Sequence, residues 1–185
     1  LPDEWGGMTQ FSAGLNLSFR GVVSNERQFE LKRYKARADY VYTTMSVQRS
    51  QKLPRELGLL VKLDGQITDQ PLIDNEQYSA GGVESVRGYK ESEAAGDEAV
   101  HGSVQLTFPD PLGKVVSGKA MSHWLQMTPY LFYDVAALTI HDPLPGQAGS
   151  IRLEGAGAGV QGGMGKNLEY EVDWAIALDR TERTV

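Results

Sequence analysis

Apolar and polar residues alternate along most of this chain with a period of two, the signature of β-strands whose faces meet different surroundings. In 11–20, Phe11, Ala13, Leu15, Leu17 and Phe19 alternate with Ser12, Gly14, Asn16, Ser18 and Arg20. In 34–48, Tyr34, Ala36, Ala38, Tyr40 and Tyr42 alternate with Lys35, Arg37 and Asp39. In 57–68, Leu57, Leu59, Val61, Leu63 and Ile67 alternate with Gly58, Lys62, Asp64, Gln66 and Thr68. The pattern returns over 100–108, 125–135 and 168–178. A Gly/Ala-rich strand over 152–164 has an ambiguous phase. These patterns predict seven strands, with an eighth beginning near Arg180.

The predicted strands are roughly 9–13 residues long, enough to cross a bilayer when tilted and longer than the strands of most soluble sheets. The alternation fits two architectures. In a soluble sandwich the charged face meets water and the apolar face meets a second sheet. In a membrane barrel the apolar face meets lipid and the charged face lines the lumen. Lys35, Arg37, Asp39, Lys62, Asp64, Glu169, Glu171 and Asp173 suit a wet interior of mixed charge. Tyr40, Tyr42, Tyr170 and Trp174 suit aromatic girdles on the other face.

Composition narrows the field. The 185 residues suffice for one ordinary domain. No apolar run is long enough for a spanning helix. There are no cysteines, which excludes disulfides, thiolate metal sites and cysteine nucleophiles. A net charge of -6 argues against non-specific nucleic-acid binding. The chain opens without Met and stops in what reads as a strand, so a longer protein is expected around it.

Few residues invite chemistry. Gly157, Gly159 and Gly162 spell a formal G-x-G-x-x-G, but a dinucleotide site needs a helix to follow, and a strand follows here. Close strand approach is the better account. His101, His123 and His141 lack metal-ligand spacing, and no nucleophile elbow accompanies them. Glu169 and Glu171 share a strand face, as the alternation alone requires. Neither an enzyme nor a cofactor is indicated, and no nucleotide site is visible.

One long segment has no period. Residues 69–98 form a thirty-residue connection, far beyond the ~12–15 usual for a structureless loop in a compact domain. Gly81, Gly82 and Gly88 open backbone conformations closed to other residues. Between them stands a single arginine, Arg87. Pointing to solvent, it would contribute little. Folded back onto the barrel wall, it would need a carboxylate partner.

The stretch SVRGYKESEAAGDEAVHGSVQLTFP resembles the signature of the Omp85/TpsB superfamily of outer-membrane protein translocases. Val86, Arg87, Gly88 and Tyr89 match the VRGY/F tetrapeptide. Glu91 and the pair Gly96 and Asp97 resemble the two-partner secretion branch, and Gly81 and Gly82 match too. A second motif, Phe-x-Asp-x-Gly, is present as Phe132 to Ala136, with Asp134 at its centre. Two departures stand out: Ala136 replaces the motif's glycine, and Gln105 occupies a position where many members carry glutamate.

The resemblance implies an all-β fold: an antiparallel transmembrane β-barrel of about sixteen strands, of which residues 1–185 supply roughly strands nine to sixteen. It implies that 69–98 is an extracellular loop folded into the lumen, where Arg87 meets Asp134 on the inner wall. Val86, Arg87, Gly88, Tyr89, Phe132 and Asp134 would lock the loop, and Gly81, Gly82, Gly96 and Asp97 would shape its bends. Periplasmic POTRA domains are expected upstream. The expected function is export of a secreted passenger protein, a haemolysin or adhesin, across the bacterial outer membrane, in contact with its lipid and without nucleotide or nucleic acid. The alternative within the superfamily is a barrel-assembly factor. A soluble sandwich acting as a binding module is the third reading.

Overall fold

The computed structural model describes residues 3, 6–19, 31–111, 125–165 and 167–179. Seven long strands form one antiparallel sheet: β1 (Gly7–Leu17), β2 (Val41–Lys52), β3 (Gly58–Thr68), β6 (Glu98–Thr107), β7 (Thr128–Thr139), β8 (Ser150–Met164) and β9 (Leu168–Ala177). They pair in chain order, each with the next, as an up-and-down meander. A two-stranded hairpin, β4 (Tyr78–Ala80) and β5 (Ala94–Gly96), interrupts the 69–97 connection between β3 and β6. Among the described residues the sheet is open, with β1 and β9 at its edges, as a segment of a barrel would be.

Register assigns the faces. Directly paired residues share a side of an antiparallel sheet. One side carries the row Ser46, Asp64, His101 and Ala136, and beside it Gln48, Lys62, Ser103, Asp134 and Gly155. The opposite side exposes Phe11, Leu15, Met45, Val47, Leu63, Ile67, Val100, Val104, Leu131, Val172 and Trp174. An apolar face this extensive needs a non-aqueous neighbour. No helix among the described residues is long and apolar enough to cross a membrane. The strands, at 10 to 15 residues, are long enough to do so.

The structure corrects the sequence reading in three places. Residues 34–40 are turn and bend, not strand: Lys35 pairs with Asp142, and Arg37 with Asp39, ahead of β2. Tyr42 sits on the polar side, its hydroxyl donating to Glu76 Oε2 at 2.7 Å, with Tyr40 stacked beside it. These two rings therefore pack against the long connection and leave the apolar face, whereas Trp174 stays on it with Leu168, Val172 and Ile176. Finally, β7 runs four residues past Val135, because its inward residues there, Ala136 and Leu138, are covered by that connection. The eighth strand expected near Arg180, together with Arg20, His123 and Lys166, lies outside the described residues.

The buried core belongs to this cover. Ala80, Val86 and Ala94 from the connection pack on Ala99, Ala136, Leu138 and Leu153 from β6, β7 and β8. The stretch without a period is thus folded against the polar side of the sheet, and the sheet supplies small or apolar residues beneath it.

Candidate functional site

The tetrapeptide 86–89 makes contact through every residue. Val86 is fully buried in the core beneath the connection. Arg87 follows, and its guanidinium grips Asp134 with two hydrogen bonds: Nε to Oδ2 at 2.8 Å and Nη2 to Oδ1 at 2.9 Å. This fork geometry is the strong, orientation-specific form of the pair. The Arg87 backbone N–H adds a third bond to Oδ2 at 3.2 Å, and Ser103 Oγ donates to Oδ1 at 2.7 Å. The carboxylate has no solvent exposure, and its charge is met by four donors.

The rest of the guanidinium is also held. Nη1 donates to Gln105 Oε1 at 3.3 Å and lies 3.7 Å from Asp173 Oδ2 on β9. Gln105, which departs from the expected glutamate, therefore still accepts a bond, and Asp173 brings the second negative charge. The guanidinium carbon stands 3.5 Å from the centre of the Phe132 ring, a cation–π contact. Burial alone would lower the Arg87 pKa, but Asp134 and then Asp173 raise it above the ordinary value. The group keeps its charge at any physiological pH.

Gly88 has φ of +100°, and a Cβ there would lie 2.8 Å from the backbone of Ile176 and Ala177. The chain can thus cross directly against β9. Tyr89 then anchors the far side, its hydroxyl donating to Asp179 O at 2.5 Å and accepting from Glu154 N at 3.3 Å. Gly81 and Gly82 likewise adopt positive φ. Gly96 ends β5, and Asp97 is a fully buried carboxylate with its own partners, so its environment is more than a bend.

The sheet beneath is cut to receive this segment. Gly155, Gly157 and Gly159 occupy alternate positions of β8 and share the polar side, opposite Asp134, Phe132 and Tyr130. A Cβ at Gly155 would fall 1.9 Å from Arg87 O. At Gly157 it would meet the Phe132 ring at 2.5 Å, and at Gly159 the Tyr130 ring at 2.4 Å. Tyr130, seated there, shares its single hydroxyl proton between Glu171 Oε1 at 2.8 Å and Asp173 Oδ1. Gly157 and Gly159 of the formal nucleotide motif, together with Gly155 two residues before it, form a docking surface for two rings and a loop tip, within a strand and followed by another strand.

Three partners carried no sequence signal of their own. His101 is buried, with Nδ1 2.8 Å from Asp64 Oδ1 and Nε2 3.0 Å from Ser85 O, tying β3 and β6 to the connection just before Arg87. Tyr78 donates to Asp64 Oδ2 at 2.5 Å. Arg33, in the segment ahead of β2, reaches Asp97. The position of His101 on the polar face was legible; its partner Ser85 was not.

Chemically, this arrangement binds a loop to a wall. Arg87, Asp134, Ser103 and Gln105 bond to one another, Asp173 Oδ2 stays buried without a hydrogen bond 3.7 Å from Arg87 Nη1, and a polar cavity of ≈ 120 Å³ bordered by Lys62, Glu84, Arg87, Ser103 and Glu171 holds both signs of charge. The family model for the haemolysin secretion/activation protein ShlB/FhaC/HecB matches residues 5–162, a span that includes both the 86–89 tetrapeptide and Asp134. Its members are outer-membrane transporters of two-partner secretion, which act on a secreted partner protein. No curated protein matches the chain.

Proposed function

The chain belongs to the ShlB/FhaC/HecB family of two-partner secretion transporters, and on that premise we propose that it exports a large haemolysin or adhesin across the bacterial outer membrane as an extended chain. The described strands form part of a barrel of about sixteen. Their polar side faces its lumen, and 69–98 is an extracellular loop folded inward. In this reading Arg87 and Asp134 lock the loop and perform no chemistry. Export needs no nucleotide, because folding of the passenger outside the cell supplies the driving force. The mixed charges of the lumen give a moving chain weak, water-exchangeable contacts.

The observation that carries this reading is the buried, forked Arg87–Asp134 pair joining the loop to the wall. Each residue of the pair satisfies the other. Removing one partner of a fully buried pair costs about 3–5 kcal/mol, and a wet lumen reduces that figure. Secretion of the partner protein is to be measured for Arg87→Ala, Asp134→Ala and the double variant, with barrel assembly checked by heat-dependent gel migration. A lock predicts that each single variant lowers secretion and that the double variant is no worse than either. Wild-type secretion by both singles would refute the lock.

A further inference from the structure

A second buried ion pair lies at the other end of the same loop. Asp97, with no solvent exposure, immediately follows β5 and leads into β6. Arg33 Nη2 donates to its Oδ2 at 2.6 Å, and Arg33 Nη1 to its Oδ1. Two backbone N–H groups also point at this carboxylate: Leu72 at 2.8 Å and His141 at 2.7 Å. Gln77 Nε2 lies 3.3 Å away. Arg33 is itself shared, donating to the carbonyls of Leu72 and, at 3.2 Å, His141.

These partners come from three connections at one end of the sheet. Residues 18–40 join β1 to β2, 69–97 join β3 to β6, and 140–149 join β7 to β8. The hub's residues lie far apart in sequence: Arg33 is 64 positions from Asp97, and His141 is 44. A surface ion pair does not collect backbone donors from its own connection and from a further one, nor does it exclude water from its carboxylate. The arrangement resembles the Arg87 site in chemistry, with a forked arginine and backbone N–H groups on one dry carboxylate, yet the two sites share no residue.

We propose that Arg33 and Asp97 form a second clamp, a pair of positioning residues that fix the root of the loop to its two neighbouring connections and thereby hold the Arg87 tip over Asp134. The inference rests on the tip being a lock only where secretion is concerned; placement of the loop can be read separately. With the root held, the tip has one place to fall. With the root free, three connections at that end of the sheet part company, and the tip samples other positions.

The test uses the full-length protein, to which two cysteines are added at exposed positions: Val83→Cys in the loop and Leu63→Cys on the apolar side of β3. Spin labels on both report the loop-to-sheet distance by pulsed electron resonance, and secretion is measured in parallel. The proposal expects one narrow distance in the parent. It expects loss of that narrow distance, with lowered secretion, in Arg33→Ala and Asp97→Ala alike, and no further loss in the double variant. Arg33→Lys, which keeps the charge and loses the fork, should recover part of the narrow population.

Should an alanine variant fail to assemble, Arg33→Lys and Asp97→Asn decide the matter by the same distance. A narrow, unshifted distance in the Arg33 variants overturns the proposal. The tip is judged apart: wild-type secretion by Arg87→Ala and Asp134→Ala, alongside a lost distance in the Arg33 and Asp97 variants, removes the tip lock and leaves the root clamp standing.

Discussion

Gly155→Ala should unseat the loop without touching either charge of the lock. The new methyl carbon would lie 1.9 Å from Arg87 O, a backbone atom that no side-chain rotation can move aside. Reaching even the 3.0 Å limit of real Cβ contacts requires a displacement of about 1.1 Å. The same shift of the tip stretches bonds that now measure 2.8 and 2.9 Å beyond hydrogen-bonding range. Two charge-assisted bonds at about 1.5–3 kcal/mol each are then at stake, less whatever water returns in a wet site. Gly163→Ala on the same strand is the control, since its Cβ would meet only Leu168 O at an ordinary 3.6 Å. The assay is limited proteolysis of the 69–97 connection in assembled protein, together with secretion of the partner. Gly155→Ala should cleave faster and secrete less, and Gly163→Ala should match the parent. Equal protection in both variants would refute the idea that β8 is shaped to receive the tip.

Other outcomes follow from the same contacts. Phe132→Leu removes the ring beneath the guanidinium and should loosen the tip by about 0.5–2 kcal/mol, seen as faster proteolysis with Asp134 still in place; unchanged protection would dismiss the cation–π contact. For Asp97, burial pushes the pKa up, but the Arg33 fork and two backbone N–H groups outweigh it and hold the pKa below 3.8. Because the folded value is the depressed one, the stability it contributes is present above the unfolded pKa and is lost as pH falls through the folded value. Protection of the Leu72 and His141 amides against hydrogen exchange should therefore hold from neutral pH to pH about 5 and be lost only below the ordinary carboxylate range. Loss of protection already near pH about 6 would contradict its assignment to Asp97.

Period two was enough to find the seven strands, because a sheet with one apolar and one polar face writes itself directly into the sequence. It failed where alternation outran the sheet. Lys35, Arg37 and Asp39 keep the rhythm but lie in a turn, where ion pairs with Asp142 and within the turn hold them. Tyr42 was set on the apolar face because tyrosine suits either surrounding; the bond to Glu76 decides its side. The β4–β5 hairpin has three residues per strand, too few for a period, and draws its order from the core beneath it. The tip residues were visible through two motifs 47 positions apart. Arg33 was not, since nothing in its neighbourhood announces a partner 64 positions away. Gly157 and Gly159 stand out in the sequence for their spacing and Gly155 does not, and the meaning of all three emerges only with the loop and rings lying on them.

The central claim, that the loop tip rests on the wall at Asp134, is open to direct measurement in full-length, membrane-assembled protein. Residues 1–185 contain no cysteine, and Glu84→Cys in the loop with Lys62→Cys on β3 leaves Arg87 and Asp134 in place. Both positions border the polar cavity beside Arg87, within reach of a thiol cross-linker. The account predicts rapid cross-linking of 84 to 62, lost on Arg87→Ala, and little between 84 and a cysteine at Leu63 on the opposite face. Equal reactivity of the two pairs, or cross-linking unchanged by Arg87→Ala, would contradict it.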